Sequence, residues 1–544
     1  MKVALLTLGC DKNTVDSERY LAELVAHGAT PTRDVAEAEV IVVNTCGFID
    51  AAKQESVDAI VQAAQMKRDG ACQAVVAVGC MVQRHKDELA EALPEVDLFL
   101  GSSEVDRLVP ELAARGVIAP EPLAAHPGLR VFGGELPHVR YLKVSEGCDH
   151  GCAFCAIPLM RGRHRSFAVA DVVREAQLLE LQGAREVNLV AQDLAHYGRD
   201  LATGERLPDL LEALLRETSV PWYRNLYLYS TGITPRLLET IAANPRVVRY
   251  LDMPMQHASD PVLARMRRPE RASSMRDKLR RFRDAVPGVA IRTTCIVGFP
   301  GETEDDFRRL LAFLEEARFD RVGAFAYSPQ EGTRAYDLVD DVPDVLKRER
   351  LERLTELQRA ITAERYEERI GRVLSAIEDC PKPTIAAING ACTGGGAGVA
   401  GVCDIRIASA SMRFGVPIAR TLGNTLSLGN YARFSALLGP GRLLELIFTA
   451  RLVEAEEARS LGLVTEVLPD QAALLARAEA LARTIGGHAP LTLQAAKTTL
   501  KRLRENAVKG ANADDMVALT FTSADFKEGV AAFLEKRKPV WQGR

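Results

Sequence analysis

Residues 146–155 read EGCDHGCAFC and place Cys148, Cys152 and Cys155 within eight residues of one another. Three thiols at this spacing can serve a zinc ion, a disulfide or an iron–sulfur cluster. Zinc draws four ligands, usually from paired CxxC or CxxH groups. No fourth cysteine lies nearby, and His150, inside the loop, is poorly placed to close a tetrahedron with all three thiolates. A disulfide would leave one thiol over. The amino terminus, MKVALLTLGCDKN, lacks the pattern of an export signal, so the expected compartment is the reducing cytoplasm. The spacing Cys-x3-Cys-x2-Cys suits three corners of a cubane cluster and leaves one iron open to a substrate or cofactor.

A second set of cysteines is scattered in sequence. Cys10 ends LLTLGC, Cys46 ends IVVNTC and Cys80 ends VVAVGC. Each stands at the carboxyl end of an expected strand, and in an open α/β sheet those ends converge on one crevice. Three distant thiolates thereby reach one place, where they can hold a second cluster with a free iron. The alternative is that cysteine packs there as a small hydrophobe. Cys72 and Cys295 lack this placement and read as packing residues.

The elements that must position these thiols follow from apolar patterning. At 544 residues the chain is expected to form two to four domains. KVALLTL (2–8), EVIVVN (39–44) and AVVAVG (74–79) are apolar runs suited to a sheet covered on both faces. DSERYLAELVAHG (16–28) is a helix that the pattern starts at an aspartate cap and ends at a glycine. The fold class is α/β, with an open amino-terminal domain over 1–118. Residues 119–137, rich in Pro, Gly and Ala, read as a linker. VRYLKVS, REVNLVAQ, NLYLYS, RYLDMPMQH, AIRTTCIVG and RVGAFAYSP then alternate with helical stretches across 138–343, the pattern of a whole or partial parallel β/α barrel. A charged connecting helix occupies 344–372, and the composition turns rich in Ala, Gly and Leu over 373–544.

Hydrophobic content of 47%, charged content of 26% and a net charge of −4 are ordinary and give no sign of a basic nucleic-acid surface. No apolar run reaches membrane-spanning length, so no membrane partner is expected. The 11 cysteines are odd in number and scattered, which argues against a disulfide framework.

LGCDKNTVDSE (8–18), NTCGFIDAAKQES (44–56), VGCMVQR (78–84) and SEGCDHGCAFCAIPLMRGRHRS (145–166) resemble the methylthiotransferases of the radical S-adenosylmethionine superfamily, over about residues 1–372. One subgroup modifies a transfer-RNA adenosine, the other the β-carbon of an aspartate in small-subunit ribosomal protein twelve. KNTVDSE, CGFIDAAKQES, YLDMPMQHAS (250–259) and MRRP (266–269) are similar to the ribosomal-protein type. The resemblance implies a cluster-bearing amino-terminal domain and a radical-SAM partial barrel. It implies two 4Fe-4S clusters, on Cys10, Cys46 and Cys80 and on Cys148, Cys152 and Cys155. Reductive cleavage of S-adenosylmethionine would start the reaction, with an electron donor such as flavodoxin or ferredoxin and the ribosomal protein or ribosome as substrate. Phe154 fills the aromatic position before the last loop cysteine. Gln192 and Asp193, at the end of VNLVAQD, are strand-end barrel residues and so cofactor or substrate candidates, while TTCIVGFPGETEDDF (293–307), with Gly298 and Glu302, resembles the family's glycine-containing turn near S-adenosylmethionine.

The last third departs from that family, which would continue into a small β-barrel. SAIEDCPKPTIAAINGACTGGGAGVAGVCDIRIASASMRFGVP (375–417), FTARLVEAEEARSLGLVTEVLP (448–469) and FKEGVAAFLEKRKPVW (526–541) resemble the later portion of the crotonase, or enoyl-CoA hydratase, family. An incomplete crotonase-like α/β segment is expected, open to acyl-CoA as ligand and to self-association through its uncovered core. Gly395 matches a backbone oxyanion donor. The two hydratase glutamates fall on Gly398 and Ile418, neither of which can move a proton.

Overall fold

The computed structural model describes residues 1–69, 72–123, 130–131, 136–511 and 513–543. They form two compact units, Met1–Thr355 and Glu356–Arg544. Part of the expected linker, residues 124–129 and 132–135, lies outside the described residues.

The first unit begins with a five-stranded parallel sheet of order β2-β1-β3-β4-β5. Its strands are β1 (Lys2–Thr7), β2 (Thr30–Pro31), β3 (Val40–Thr45), β4 (Ala74–Gly79) and β5 (Leu98–Gly101). β3 and β4 are buried at every position, as their unbroken apolar runs require. The helix expected from Asp16 starts earlier: α1 runs Asp11–Ala26, with Cys10 as its cap residue. The apolar spacing misplaces this start because the first turns bury polar side chains. Lys12, Asn13, Asp16 and Glu18 are all under 8% exposed. Tyr20, Leu21 and Leu24 pack on the sheet, while the acidic residues meet cations of the barrel.

Six parallel strands follow: β6 (Val139–Lys143), β7 (Glu186–Val190), β8 (Trp222–Asn225), β9 (Tyr250–Asp252), β10 (Ala290–Val297) and β11 (Arg321–Ala326). They pair as β8-β7-β6 and β9-β10-β11, bridged by Tyr223 against Val247. This is a partial β/α barrel. The strand expected over NLYLYS ends at Asn225. Tyr227 turns to φ +59°, breaking the ladder while Leu226 and Leu228 stay buried.

The connecting helix, Asp344–Glu378, is longer than the charged run suggested, and the division between the units falls inside it. Its first turns close the barrel unit. Arg350 Nη1 donates to Glu302 Oε1 at 3.0 Å, with both side chains 2% exposed or less.

The second unit carries two three-stranded sheets. One is parallel: Ile385–Ile388, Ile405–Ser409 and Glu466–Leu468. The other is mixed: Ala391–Cys392, Arg413–Phe414 and Val453–Glu454. Phe414, Phe434, Leu446 and Val453 centre its core. Gly395 opens the helix Gly395–Val402. No helix among the described residues is long and apolar enough to cross a membrane.

Arg350→Met tests the closure of the first unit. Removing one partner of a buried ion pair leaves the other charge uncompensated and costs about 3–5 kcal/mol. Urea unfolding of the Arg350→Met chain should show that loss in the first unit's transition. An unchanged midpoint would contradict the closure.

Candidate metal and cofactor site

β1, β3 and β4 are neighbours in register, Thr7 opposite Asn44 and Thr45 opposite Gly79. Their carboxyl ends therefore meet at one edge. Cys10 and Cys46 follow β1 and β3, α2 (Asp50–Asp69) comes next in the chain, and Cys80 opens α3 (Cys80–Ala92) directly after β4. Side chains stitch the three ends together. Asn13 Nδ2 donates to Leu8 O at 2.7 Å and to Thr45 O at 3.1 Å. Thr45 Oγ1 donates to Val78 O at 2.6 Å. The buried Ser56 hydroxyl accepts from Cys46 N at 2.9 Å and donates to Cys46 O at 3.1 Å. Gly9, at φ +92°, lets the first loop touch the second: a Cβ there would stand 2.7 Å from Cys46 Cβ and 2.8 Å from its Sγ.

The second triad lies between the short ladder of Ser145–Glu146 with Arg165–Ser166 and the helix α4 (Ile157–Arg161). Cys148 N donates to Gly162 O at 3.1 Å and Cys155 N to Cys152 O at 3.3 Å. Ala153 pins the loop's middle, its N donating to Met266 O at 3.0 Å and its O accepting from Ala335 N at 2.8 Å. Phe154 packs on the apolar cluster that contains Met266, Phe299 and Tyr327.

α4 connects the two triads. Cys155 precedes it by two residues, and Cys80 packs against Ala156 and Met160. At its last position Arg161 donates from Nε to Cys80 Sγ at 3.1 Å, from Nη1 to Asp16 Oδ2 at 2.6 Å and from Nη2 to Asn13 Oδ1 at 2.5 Å. The second triad has its own guanidinium. Arg268 Nη1 donates to Cys152 Sγ at 3.7 Å and sits 3.9 Å over the Tyr229 ring.

Burial pushes the thiols of Cys80 and Cys148 up to about 11 and that of Cys155 up to about 12. Buried thiols resist ionising without nearby positive charge. The two guanidinium groups supply part of it, and iron would supply the rest. Among the described residues, only His150, Asp193 and His196 bring three ligand atoms within 4.8 Å of one another. A zinc ion with Zn–S bonds of about 2.3 Å would hold its thiolates about 3.8 Å apart. The more open triads, each with an N–H aimed at a sulfur, fit a polynuclear anionic cluster.

The remaining expected residues are spread around the barrel mouth. Gln192 Nε2 donates to Glu146 Oε1 at 2.8 Å, while its Oε1 is buried without a hydrogen-bond partner. That orphaned acceptor beside the second triad fits a bound cofactor. Asp193 accepts from Ala195 N at 2.9 Å and Tyr229 N at 3.0 Å, lies 2.7 Å from His150 Nε2, and also meets His196 Nδ1. Burial would raise this carboxyl, but those partners hold it well below the usual range. The His150 ring is thereby tied to Asp193 and stacks on Tyr229, centroids 3.8 Å apart. Glu302 is spent on the turn after β10, accepting from Gly298 N at 2.8 Å, Phe299 N at 3.3 Å and Arg350. Gly395 belongs to the other unit, where a Cβ built on it meets nothing within 4 Å.

Comparison with known proteins follows this division. The Radical SAM superfamily model matches residues 142–314, and the model described as Uncharacterized protein family UPF0004 matches 2–101. The ribosomal protein uS12 methylthiotransferase RimO of Anaeromyxobacter sp. (strain Fw109-5) is 49% identical over 380 residues, 69% of this chain and 81% of that protein. The chain belongs to the RimO family. The RimO of Myxococcus xanthus (strain DK1622) is 44% identical over 384 residues, 70% of this chain and 80% of that protein. RimO membership makes the chain a radical S-adenosylmethionine methylthiotransferase with iron–sulfur chemistry. The Enoyl-CoA hydratase/isomerase model matches 351–544, so a crotonase-like segment is present as an additional part. A solved carnitinyl-CoA dehydratase from Mycobacterium avium 104 is 34% identical, covering 30% of this chain and 65% of that one, with a TM-score of 0.25.

Sequence patterning missed Arg161, Arg268, Tyr229 and His196. The two arginines lie inside motifs that carried the resemblance, but nothing in their spacing reveals partners 81 and 116 residues away.

Asp16 offers a pH test of the Arg161 network. Burial alone would raise this carboxyl, but Lys143 and Arg161 outweigh it and push it down to about 2. A depressed carboxyl contributes stability that is complete above the unfolded value near 4 and is lost as pH falls toward 2, roughly 2–3 kcal/mol in all. Acid unfolding of the Asp16→Asn chain, compared with the unsubstituted one, should lose that dependence. An identical pH profile would contradict the network.

Proposed function

We propose that this chain adds a methylthio group to the β-carbon of an aspartate in ribosomal protein uS12, in the cytoplasm, with S-adenosylmethionine as co-substrate and flavodoxin or ferredoxin as electron donor. Cys10, Cys46 and Cys80 hold one 4Fe-4S cluster, within a domain spanning 1–118. Cys148, Cys152 and Cys155 hold the other, within a barrel spanning 138–343. Residues 344–372 connect this machinery to the crotonase-like segment, 373–544. The observation that carries the reading is the pair of thiol triads on either side of α4, each with a buried guanidinium N–H directed at a sulfur.

When bound, the cofactors supply one-electron cleavage of S-adenosylmethionine at the second triad and sulfur at the first. The protein's part is to bind, orient and exclude water. Arg268 steadies Cys152, and Asp193 fixes His150 flat against Tyr229 as one wall of the mouth. Phe154 seals the loop against the apolar cluster. Gln192 Oε1 offers an unpaired acceptor to the cofactor, and Gly298 with Glu302 shapes the turn at the end of β10.

Iron counting on anaerobically purified chains tests the assignment. Changing Cys148, Cys152 and Cys155 to Ala should remove about half the iron and all deoxyadenosine formation. Changing Cys10, Cys46 and Cys80 should spare deoxyadenosine formation and stop sulfur insertion. Mass spectrometry of a deletion strain complemented with this chain should show the mark on uS12. A mark on transfer-RNA adenosine alone would overturn the substrate.

For the second unit we propose no hydratase activity. Gly398 and Ile418 stand where the family's glutamates would be, and a lost acid or base costs roughly 100- to 10,000-fold. Gly395 leaves room above its helix start for an acyl-CoA carbonyl. Leu491, Leu500 and Leu503 are 78%, 68% and 65% exposed on one helix, which supports pairing with a second copy. Crotonyl-CoA hydration should stay at the buffer rate, and sedimentation velocity should show a dimer. Turnover abolished by truncation after Arg372, or a strict monomer, would contradict these two points.

A further inference from the structure

Lys12 is a buried cation that forms no ion pair with a carboxylate among the described residues. It is the second residue of α1, two past Cys10, and 6% exposed. Among the described residues its ammonium has no ion pair or hydrogen bond, and its close contact is the Tyr227 ring, whose centroid lies 3.2 Å away. Tyr227 is held at φ +59° by its neighbours: its O accepts from Leu194 N at 2.9 Å, and Leu228 N donates to Asp252 O at 2.7 Å. A non-glycine residue kept in that region is over-determined by its surroundings. Beside it Asp252, the last residue of β9, is 1% exposed, and its Oδ2 has no hydrogen-bond partner. The nearest cation to Asp252 is Arg292, at 3.8 Å.

Cys10, Asp11 and Asp252 all act on Lys12 electrostatically, and Arg292 more than Lys12 acts on Asp252, but Lys12 and Asp252 do not pair. Asp252 stands at the carboxyl end of a barrel strand, where substrates of such barrels are handled, and Lys12 faces it from the first turn of α1 in the amino-terminal domain. An unpaired buried charge is costly, so a site that keeps one is matched to a ligand that completes it. Arg292 offsets the charge of Asp252, so the missing partners are an anion for Lys12 and a hydrogen-bond donor for Asp252 Oδ2. A peptide bearing a side-chain carboxylate supplies both. An adenosine base has no carboxylate to offer.

Resting on the uS12 reading above, we propose that Lys12 is a specificity-determining residue that receives the side-chain carboxylate of the target aspartate, while Asp252 accepts a backbone N–H of the same peptide. Lys12 shares the first turn of α1 with the cap residue Cys10. A carboxylate held there keeps its neighbouring carbon on the side of the first triad.

The test is equilibrium binding, independent of turnover. Two fluorescent peptides from the uS12 target loop, one with the target aspartate and one with asparagine in its place, are titrated by anisotropy against the reconstituted full chain. A charge-assisted hydrogen bond predicts a preference for the aspartate peptide of about 10- to 100-fold. Lys12→Met should bind both peptides alike with unchanged iron content, and Lys12→Arg should retain the preference. Asp252→Asn should weaken both peptides equally. If Lys12→Met keeps the preference, the proposal is wrong. If Lys12→Met loses iron instead, Lys12 serves the cluster and not the substrate. Binding of neither peptide by the unsubstituted chain would overturn the uS12 reading itself, and this inference with it.

Discussion

The guanidinium of Arg161 is the interaction on which the rest of the site depends. It is buried between Cys80, Asp16, Asn13 and Glu146, groups drawn from the amino-terminal domain and from the loop of the second triad. Remove its charge and a buried carboxylate and a buried thiol face each other with Lys143 as their main relief. Planar donors in a fixed fork can satisfy several acceptors at once, which a lysine ammonium on a flexible stem does less well. The five residues of α4 carry that fork from one triad to the other.

The same economy recurs along α1. Its acidic side meets β6 through Glu18 with Arg140 at 3.1 Å and through Asp16 with Lys143, while Arg130 lies 3.4 Å from Glu18. Ion pairs this buried contribute little net stability against an apolar alternative. What they add is register. A greasy face on α1 could slide along the barrel wall. A face of charges that must meet fixed partners cannot, so the cysteines at its end are held against the second loop. The open parallel sheet and the partial barrel, each presenting the carboxyl ends of its strands, thus become one site.

The backbone was legible wherever burial is two-sided. AVVAVG coincides with β4 because an unbroken apolar run admits few other readings. The start of α1 was not legible, because its first turns are polar and buried by partners more than a hundred residues away. NLYLYS failed as a strand because Tyr227 turns to φ +59° just after Leu226 N has donated to Leu189 O, while Leu226 is buried against Val15 and Val190. The cysteines stand out in sequence because thiols are few and their spacing carries chemistry. Arg161, Arg268 and Lys12 do not stand out: a charged residue inside a loop motif reads as solvated until its distant neighbours are known.

The crotonase-like unit has a different logic and its own core around Phe414, Phe434, Leu446 and Val453. The central claim concerns the first unit: two clusters held one short helix apart. Magnetic resonance of the reduced, anaerobically reconstituted chain tests it most directly. α4 spans about 7.5 Å at 1.5 Å per residue, and Cys80 packs on its flank. The account predicts two reduced-cluster signals broadened by mutual dipolar coupling. A single cluster signal, or two signals with no coupling, would contradict it.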